Sequence, residues 1–416
     1  MPKRNVHLLI LFTLLILSFK ICAQVELTVH GMVIDNSNDS PLPFATISVK
    51  GSLYGVTSDK DGYFKMTLPK EEITETLLIN YIGFQPFELE VQEALVHENF
   101  RLEPMTYSLH EVIVRPQSAE TYLKKVVKEL RSNYAHFSFN TLAHYEEVIN
   151  ENTYPIDHSE AVFRSWFQDF QEEGRSDHQL ILFREKETNE LQFMRAKAEK
   201  EKEKYLSKNP EKADQYDEND ILLTNFGGPS SILNLNVVNG SLDCLDTNSF
   251  RKFKFNYLPE TSYEGNRLIV ISYESKGAVE HRKQRGKLFI DSNNDAIVKI
   301  EEEGELIIPA IAKPILFIMG LRLRKPTYKF TLKYRSINNR WYPQYSKWNV
   351  QIDMTKKHTL KKNENSSFDI QQHYIVSSIG TENVRRIQED KVFDPSKKME
   401  TQVFPINGVD WYSIER

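Results

Sequence analysis

The sequence contains almost no cysteine, no surplus of positive charge and no recognisable catalytic motif. Only 2 of its 416 residues are cysteine. Cys22 falls in an apolar N-terminal segment, which leaves Cys244 as the one cysteine of the remaining chain and excludes an intrachain disulfide there. A chain of this kind depends on its hydrophobic core, which a protein of this length can form.

The charge balance argues against nucleic acid as a partner. The chain carries 53 basic and 58 acidic residues, a net charge of −5. Removal of residues 1–24 takes away Lys3, Arg4 and Lys20 and leaves a net charge near −8. General nucleic-acid binders usually show a basic surplus, so we expect no nucleic-acid partner.

Catalytic signatures are also missing: the sequence lacks H-E-x-x-H, G-x-S-x-G, C-x-x-C, Walker and G-x-G-x-x-G patterns. His144 and Glu146 (in HYEE) and His158 and Glu160 (in DHSE) each form an i,i+2 pair on one strand face. Neither pair supplies the three ligands of a catalytic zinc, so both are interpreted as solvated strand faces. We therefore expect no catalytic residue, no metal site, no cofactor and no enzymatic activity.

Residues 1–24 have the pattern of a secretory signal peptide. Lys3 and Arg4 form a positive start, residues 6–18 are almost entirely apolar, and Ala23 offers a small residue for cleavage. The apolar run is shorter than the ~20 residues that span a bilayer, although an uncleaved anchor remains an alternative. Ile21 argues against lipidation at Cys22, because a lipoprotein signal has a small residue immediately before its cysteine. The segment predicts export, to the periplasm or to the outer membrane.

Residues 25–115 break into seven short β-like runs separated by turn residues, which is typical of an antiparallel β-sandwich. DKDG at residues 59–62 falls between two of these runs. We interpret it as a tight hairpin turn, closed by a positive φ at Gly62. A calcium loop of the helix–loop–helix type needs a glutamate at its twelfth position, and Lys70 stands there.

Four motifs in this region carry a specific resemblance. In chain order they are GMVID at 31–35, PLPFATISVKG at 41–51, GVTSDKDGYF at 55–64 and YIGF at 81–84. Residues 26–103 resemble the carboxypeptidase-regulatory-like domain, a prealbumin-like β-sandwich of Gram-negative envelope proteins. In that family the domain is non-catalytic and often precedes another module, most familiarly a TonB-dependent outer-membrane receptor. The resemblance thus implies an envelope protein with a binding rather than a catalytic first domain.

A connecting amphipathic helix is predicted at residues 116–135, with Ser118 as its N-cap. Its apolar face holds Tyr122, Val126 and Leu130, and lysines line the opposite face. The helix either packs on the following sheet or presents its basic face to anionic headgroups.

Residues 136–416 predict a β-rich second domain, so that the whole chain is mostly β with an α+β second half. Ten strand-like runs are visible, and SINNR at 336–340 reads as a hairpin connection. A charged helical insertion is expected near 186–240, where Glu and Lys dominate. DSNND at 291–295 has calcium-like spacing, but Ala296 replaces the required glycine.

The successive long hairpins resemble the curved sheet of periplasmic lipoprotein-carrier and lipoprotein-sorting proteins, which would enclose an apolar cavity. Residues 305–323 bear on this idea, since prolines and Lys313 make the segment a poor transmembrane helix. It is an apolar cover for the sheet, a lid over a lipid cavity, or a membrane-dipping loop. The candidate lipid- or partner-contact residues are Ile307, Ile308, Ile311, Ile315, Phe317 and Ile318.

Two functions follow from these patterns. The first is a non-enzymatic, exported envelope protein that binds a partner, expected to be an envelope or outer-membrane protein. The alternative is a periplasmic lipid or lipoprotein carrier, for which lipid would be the ligand.

Overall fold

Alternation of apolar and polar residues generates two β-units in the computed structural model. The structure describes residues 26–105, 117–169, 175–208, 228–238, 242–308, 312–318, 320–358 and 362–411. The predicted signal peptide, the predicted domain boundary at 115 and residues 209–227 and 239–240 of the predicted insertion lie outside these ranges. No helix among the described residues is long and apolar enough to cross a membrane.

The first unit is a sandwich of seven strands, as the sequence predicts. They are β1 (Glu26–Asp35), β2 (Thr46–Val49), β3 (Gly55–Thr57), β4 (Tyr63–Pro69), β5 (Thr76–Asn80), β6 (Phe87–Glu90) and β7 (Asn99–Leu102). One sheet has the order β4-β1-β7 and the other β3-β2-β5-β6. Alternate side chains of both sheets are buried between them, including Val29, Val33, Ile47, Leu68, Leu77, Ile79 and Phe100.

Two details of the sandwich differ from the sequence-based expectation. β1 and β7 pair in parallel, because the chain crosses to the other sheet for β5 and β6 and returns through helix α1 (Val91–Ala94). The predicted hairpin at Asp59–Gly62 is wrong, since β3 and β4 belong to different sheets. The residues still form a tight turn: Asp59 Oδ1 accepts from the backbone N–H of Asp61 at 2.8 Å and of Tyr63 at 2.9 Å. Gly62 has the expected positive φ, 83°.

The second unit is a single curved sheet of ten antiparallel strands. They are β8 (Phe139–Glu151), β9 (Tyr154–Phe167), β10 (Ser176–Thr188), β11 (Phe253–Tyr263), β12 (Asn266–Ser275), β13 (Arg282–Asp291), β14 (Ile297–Leu306), β15 (Leu321–Ile337), β16 (Arg340–Lys356) and β17 (Glu364–Gly380). Their order is β10-β9-β8-β17-β16-β15-β14-β13-β12-β11. The mostly β fold class with a sandwich and a curved sheet is therefore confirmed.

Among the described residues, four helices accompany the sheet. They are α2 (Ala119–Glu129), α3 (Arg195–Leu206), α4 (Ser230–Leu233) and α5 (Ala312–Ile318). Short 3₁₀ turns occupy Lys70–Thr74, Leu130–Asn133, Asp243–Leu245, Phe250–Lys252, Glu389–Lys391 and Met399–Gln402. Helix α3 lies inside the predicted charged insertion.

Helix α2 packs its apolar side on the sheet. Ser118 caps it by accepting a hydrogen bond from Thr121 N–H at 3.1 Å, and Tyr122, Leu123 and Val126 are buried. The DSNND turn fixes it in place, since the Asp295 carboxylate accepts from Tyr122 OH at 2.6 Å and pairs with Lys125 at 2.7 Å. This turn thus anchors a helix with the oxygens that a calcium loop would use as ligands.

Neither edge strand of the large sheet is a regular, open strand: β10 is partly covered by a later segment, and β11 has a shift in its pairing register. The chain after β17 runs along β10, where the Phe393 and Phe404 N–H groups donate to the backbone carbonyls of His178 and Leu180 at 2.7 and 2.8 Å. At the opposite edge, the register of β11 shifts between Leu258 and Thr261 around Pro259, which is typical of a β-bulge.

The sandwich is fixed to the sheet through β2, β3 and the turn before β6. Arg335 of β15 donates to the Leu53 carbonyl at 2.5 Å, and Gly83 N–H donates to the Ser262 carbonyl at 2.9 Å. Gly55 of β3 makes room for the buried guanidinium, because a Cβ there would lie 2.0 Å from Arg335 Nη1 and 3.0 Å from the Ile47 carbonyl oxygen.

We therefore expect Gly55→Ala to destabilise the protein by about 1–3 kcal/mol, because the added methyl group displaces a buried side chain. The measurement is the midpoint of urea unfolding. Gly277→Ala is the matched control, since a Cβ at Gly277 meets nothing within 4 Å. Equal midpoints for the two variants would contradict this account of the contact.

Candidate functional site

One face of the large sheet carries a polar residue on every strand. Directly opposite residues share a face, and the pairing register joins ten of them into what we call the polar row. Its members, from β11 to β10, are Asn256, Ser272, Lys287, Glu301, Thr331, Lys347, His373, Glu146, Glu160 and Arg184. The sandwich lies over the middle of this face, so that the candidate site is the space between them.

This space is an open cleft of about 560 Å³, within the size range of ligand sites. The sheet supplies its floor and the sandwich one wall. The cleft is lined by Pro43, Phe44, Tyr81 and Ile82 of the sandwich and by Lys287, Phe289, Lys299, Glu301, Lys329, Phe330, Thr331, Lys333, Tyr345, Lys347 and Asn349 of the sheet. A second cleft of about 630 Å³ continues along the same face toward β11 and shares Lys287, Glu301 and Lys329 with the first.

The junction beside the cleft contains a fully hydrogen-bonded threonine. Thr46 is buried, and its hydroxyl oxygen accepts a hydrogen bond from Lys333 Nζ at 2.6 Å. It also contacts Tyr263 OH at 3.0 Å and donates to Gln344 Oε1 at 3.1 Å. Since Thr46 belongs to β2 and its three partners to the sheet unit, this hydroxyl holds the two units in register.

Lys333 is a cation with little water, and no carboxylate of the described residues lies within salt-bridge distance of it. It is 5% exposed, and Lys299 stands directly opposite on β14. Burial, and then the charge of Lys299, lower the pKa of Lys333 to about 7. The hydrogen bond to Thr46, the charge of Glu264 and the face of the Tyr263 ring, 5.0 Å away, compensate part of this cost.

Phe44 forms the aromatic wall of the cleft. Its ring stacks on Tyr345 at a centroid distance of 4.8 Å, and Lys347 Nζ lies 5.1 Å from its centroid. The backbone of Phe44 has a φ of 61°, which is rare for a bulky side chain and costs on the order of 1–3 kcal/mol. The stacking and the Phe44 N–H bond to the Ser58 carbonyl, 3.2 Å, accompany this strained conformation.

The two His/Glu pairs that the sequence presents separately form one cluster on the same face. Glu146 and Glu160 are directly opposite on β8 and β9, and ligand atoms of Glu146, His158 and Glu160 lie within 4.8 Å of one another. The Glu160 carboxylate is already paired, with Arg184 at 2.8 Å and with Lys186. Burial raises the pKa of Glu160, but the hydrogen bonds from Lys186 and Arg184 outweigh it and hold that pKa below its ordinary value. These contacts account for the cluster as a salt-bridge network.

The predicted contact segment lies elsewhere, at the tip of the β14–β15 hairpin. Phe317 and Ile318 on α5 are 83% and 84% exposed, whereas Ile307 and Ile308 are half-buried. Ile315 lies in α5, and Ile311 is outside the described residues. Of the four whose side chains the structure describes, Ile307, Ile308, Phe317 and Ile318, none lines either cleft.

The cleft residues were missed by the sequence reasoning. Lys287, Lys299, Lys333 and Lys347 come from four strands, and each one alone resembles an exposed strand lysine. One signal in the sequence could have indicated them. Lys329, Thr331, Lys333 and Arg335 are four polar residues at every second position of one strand, and they therefore share one face of the sheet.

Comparisons with known proteins agree with the sandwich architecture of the first unit. Residues 29–114 match the model of the CarboxypepD_reg-like domain and therefore form a carboxypeptidase-regulatory-like domain. The TonB-dependent receptor SusC of Bacteroides thetaiotaomicron is 35% identical over 107 residues, which are 26% of this chain and 10% of the receptor. The chain thus matches about a tenth of that relative's length.

Solved structures with similarity to the chain are distant. A DUF1329 family protein from Desulfovibrio piger is 9% identical with a TM-score of 0.25, over 65% of this chain and 96% of that one. A putative membrane-associated protein of unknown function from Bacteroides fragilis is 10% identical with a TM-score of 0.15, over 86% of this chain and 99% of that one. Scores this low support no argument about fold or function.

A buried, unpaired lysine should reduce stability at neutral pH. The unfolded chain keeps the Lys333 proton up to about pH 10.5, whereas the folded chain releases it near pH 7. The penalty is therefore complete below pH 7 and disappears as the pH rises from 7 to 10.5.

We expect Lys333→Met to increase the free energy of unfolding by on the order of 1–2 kcal/mol at pH 7 and to lose this advantage near pH 10. Urea unfolding at both pH values measures the difference, with the exposed Lys60→Met as the control. A variant that is less stable than the wild type at both pH values would show that the Lys333 hydrogen bonds outweigh its desolvation.

Proposed function

We propose that this chain is an exported cell-envelope protein that binds a partner or ligand and catalyses no reaction. Three observations support the envelope location. The N-terminal segment has the pattern of a secretory signal, the first domain belongs to the regulatory-like family, and the curated relative with a similar segment is a TonB-dependent receptor.

The observation that carries the binding function is the cleft between the two units. Its walls come from the sandwich and the sheet, and the hydrogen-bonded Thr46 fixes them relative to each other. A cleft at the interface between two domains is a common place for a binding site. The expected partner is an envelope or outer-membrane protein that presents or shares the ligand.

The test of this proposal is localisation combined with site-specific crosslinking in intact cells. We expect the tagged chain in the periplasmic or outer-membrane fraction, with a mature N-terminus near residue 25. A photo-crosslinking side chain at Ile82, on the cleft wall, should capture a discrete envelope component. Val96, 84% exposed and not lining the cleft, is the control position.

Retention of the chain in the cytosolic fraction would overturn the proposed location. Identical crosslinking patterns from Ile82 and Val96 would overturn the cleft as the binding site.

A second candidate function is that of a lipid or lipoprotein carrier, and one observation favours it. Phe317 and Ile318 are adjacent apolar side chains, each more than four-fifths exposed, at the end of a long hairpin. Such a tip suits contact with a lipid surface. Both clefts have charged linings, so the hairpin tip is the stronger support for lipid contact.

The double variant Phe317→Ser/Ile318→Ser is expected to reduce binding to phospholipid vesicles by at least tenfold, because it removes the exposed apolar surface. Vesicle co-sedimentation measures this, and Val96→Ser is the matched control. Unchanged sedimentation of the double variant would remove the support for lipid contact at this tip.

A further inference from the structure

The cations of the cleft outnumber its carboxylates after all internal ion pairs are assigned. Lys299 pairs with Glu301 at 2.6 Å, and Lys329 pairs with Glu303 at 3.3 Å. Within the described part of the chain, no carboxylate forms a salt bridge with Lys287, Lys333 or Lys347. These three residues, which we call the unpaired lysines, give the cleft more basic than acidic side chains, since Glu264 and Asp369 act on Lys333 and Lys347 only from beyond salt-bridge distance.

Keeping these charges close together is unfavourable in the absence of a ligand. Lys333 is buried and faces Lys299 across the strand pair, and like charges in that arrangement repel. Burial also lowers the pKa of Lys347 below its ordinary value. An anion in the cleft would relieve both the desolvation and the repulsion, since an opposite charge favours the charged form of each lysine.

The positions of the lysines allow them to approach one ligand. Lys333 pairs with Tyr345, two residues from Lys347 on the same strand, so the two lysines are diagonal neighbours. Lys287 lies three strands away from Lys347 along the polar row, about 14 Å at the usual strand spacing. Extended lysine side chains can close much of that distance from opposite sides.

The cleft also has an apolar side, which restricts the kind of anion. The stacked rings of Phe44 and Tyr345 lie beside Lys347, and Tyr81 and Ile82 continue this wall. A ligand that fits has an anionic group at the lysines and a ring-bearing or apolar body against the aromatic wall. A phosphate suits the lysines better than a single carboxylate, because it carries up to two charges and three strong acceptor oxygens.

We propose that the cleft binds a phosphate-bearing ligand, whose phosphate contacts the unpaired lysines and whose attached body packs against Phe44 and Tyr345. This inference rests on the cleft being the binding site proposed above. The same phosphate chemistry occurs in a soluble phosphorylated molecule and in a phospholipid headgroup, and the experiment separates these two sources.

The experiment uses the full mature chain in calorimetric titrations at low ionic strength. Inorganic phosphate and pyrophosphate are the soluble probes. Phosphatidylcholine vesicles with and without phosphatidic acid are the lipid probes. Lys287→Gln and the double variant Lys287→Gln/Lys347→Gln are compared with Lys60→Gln, which makes the same change in charge as Lys287→Gln at a position that does not line the cleft.

We expect the wild type to bind at least one phosphate probe, and the double variant to bind it at least tenfold more weakly, with Lys60→Gln unchanged. Binding of the soluble probes assigns a soluble ligand, and binding only of vesicles containing phosphatidic acid assigns a lipid headgroup. Lys287 is exposed, so its single variant reports on binding even if the double variant folds poorly.

Failure to bind every probe, or equal affinity of the wild type and the Lys287 variants, would overturn the proposal. Export and crosslinking at Ile82 do not require phosphate. If they succeed while phosphate binding fails, the ligand class is wrong and the cleft remains the binding site.

Discussion

The position of the sandwich depends on a buried polar junction, and the Thr46 hydroxyl lies at its centre. A lysine, a tyrosine and a glutamine of the large sheet all meet it, and Arg335 closes the same junction through the Leu53 carbonyl. Buried charged contacts rarely add net stability, because desolvation costs as much as the contacts contribute. They do fix geometry, since any other docking of β2 would leave a buried cation without its hydrogen bonds. The cleft exists because this junction is specific.

The strands were predictable from the sequence because the signal that defines them is local. All seven runs of the first unit and all ten of the second appear as strands, and Asn338 and Asn339 take the positive φ values, 50° and 59°, that their hairpin requires. The order of the strands was not predictable. β8 pairs with β17, more than two hundred residues later in the chain, and β1 pairs in parallel with β7. The local alternation of apolar and polar residues indicates neither pairing.

The candidate site could not be predicted for the same reason. The local sequence around a lysine on a half-exposed strand does not show whether its side chain contacts solvent, a carboxylate or another lysine. Only the register places Lys299 opposite Lys333 and puts Glu146 opposite Glu160. The exposed hairpin tip at Phe317 and Ile318, by contrast, was recognisable because a short apolar segment interrupted by prolines is conspicuous in a charged chain. Sequence reasoning therefore proposed the apolar segment, which stays a prediction, and did not identify the lysines of the cleft.

The partial covering of β10 and the bulge in β11 affect whether two copies of the chain can associate through their sheets. An open sheet of ten strands would normally offer unpaired backbone groups to a second copy of the chain, which is a template for aggregation. Here the segment that contains Phe393 and Phe404 covers part of β10, and Pro259 removes a donor within the bulge of β11. Lateral growth of the sheet is disfavoured at both ends. Contacts with other molecules are thereby directed to side chains on the faces and hairpin tips rather than to the backbone.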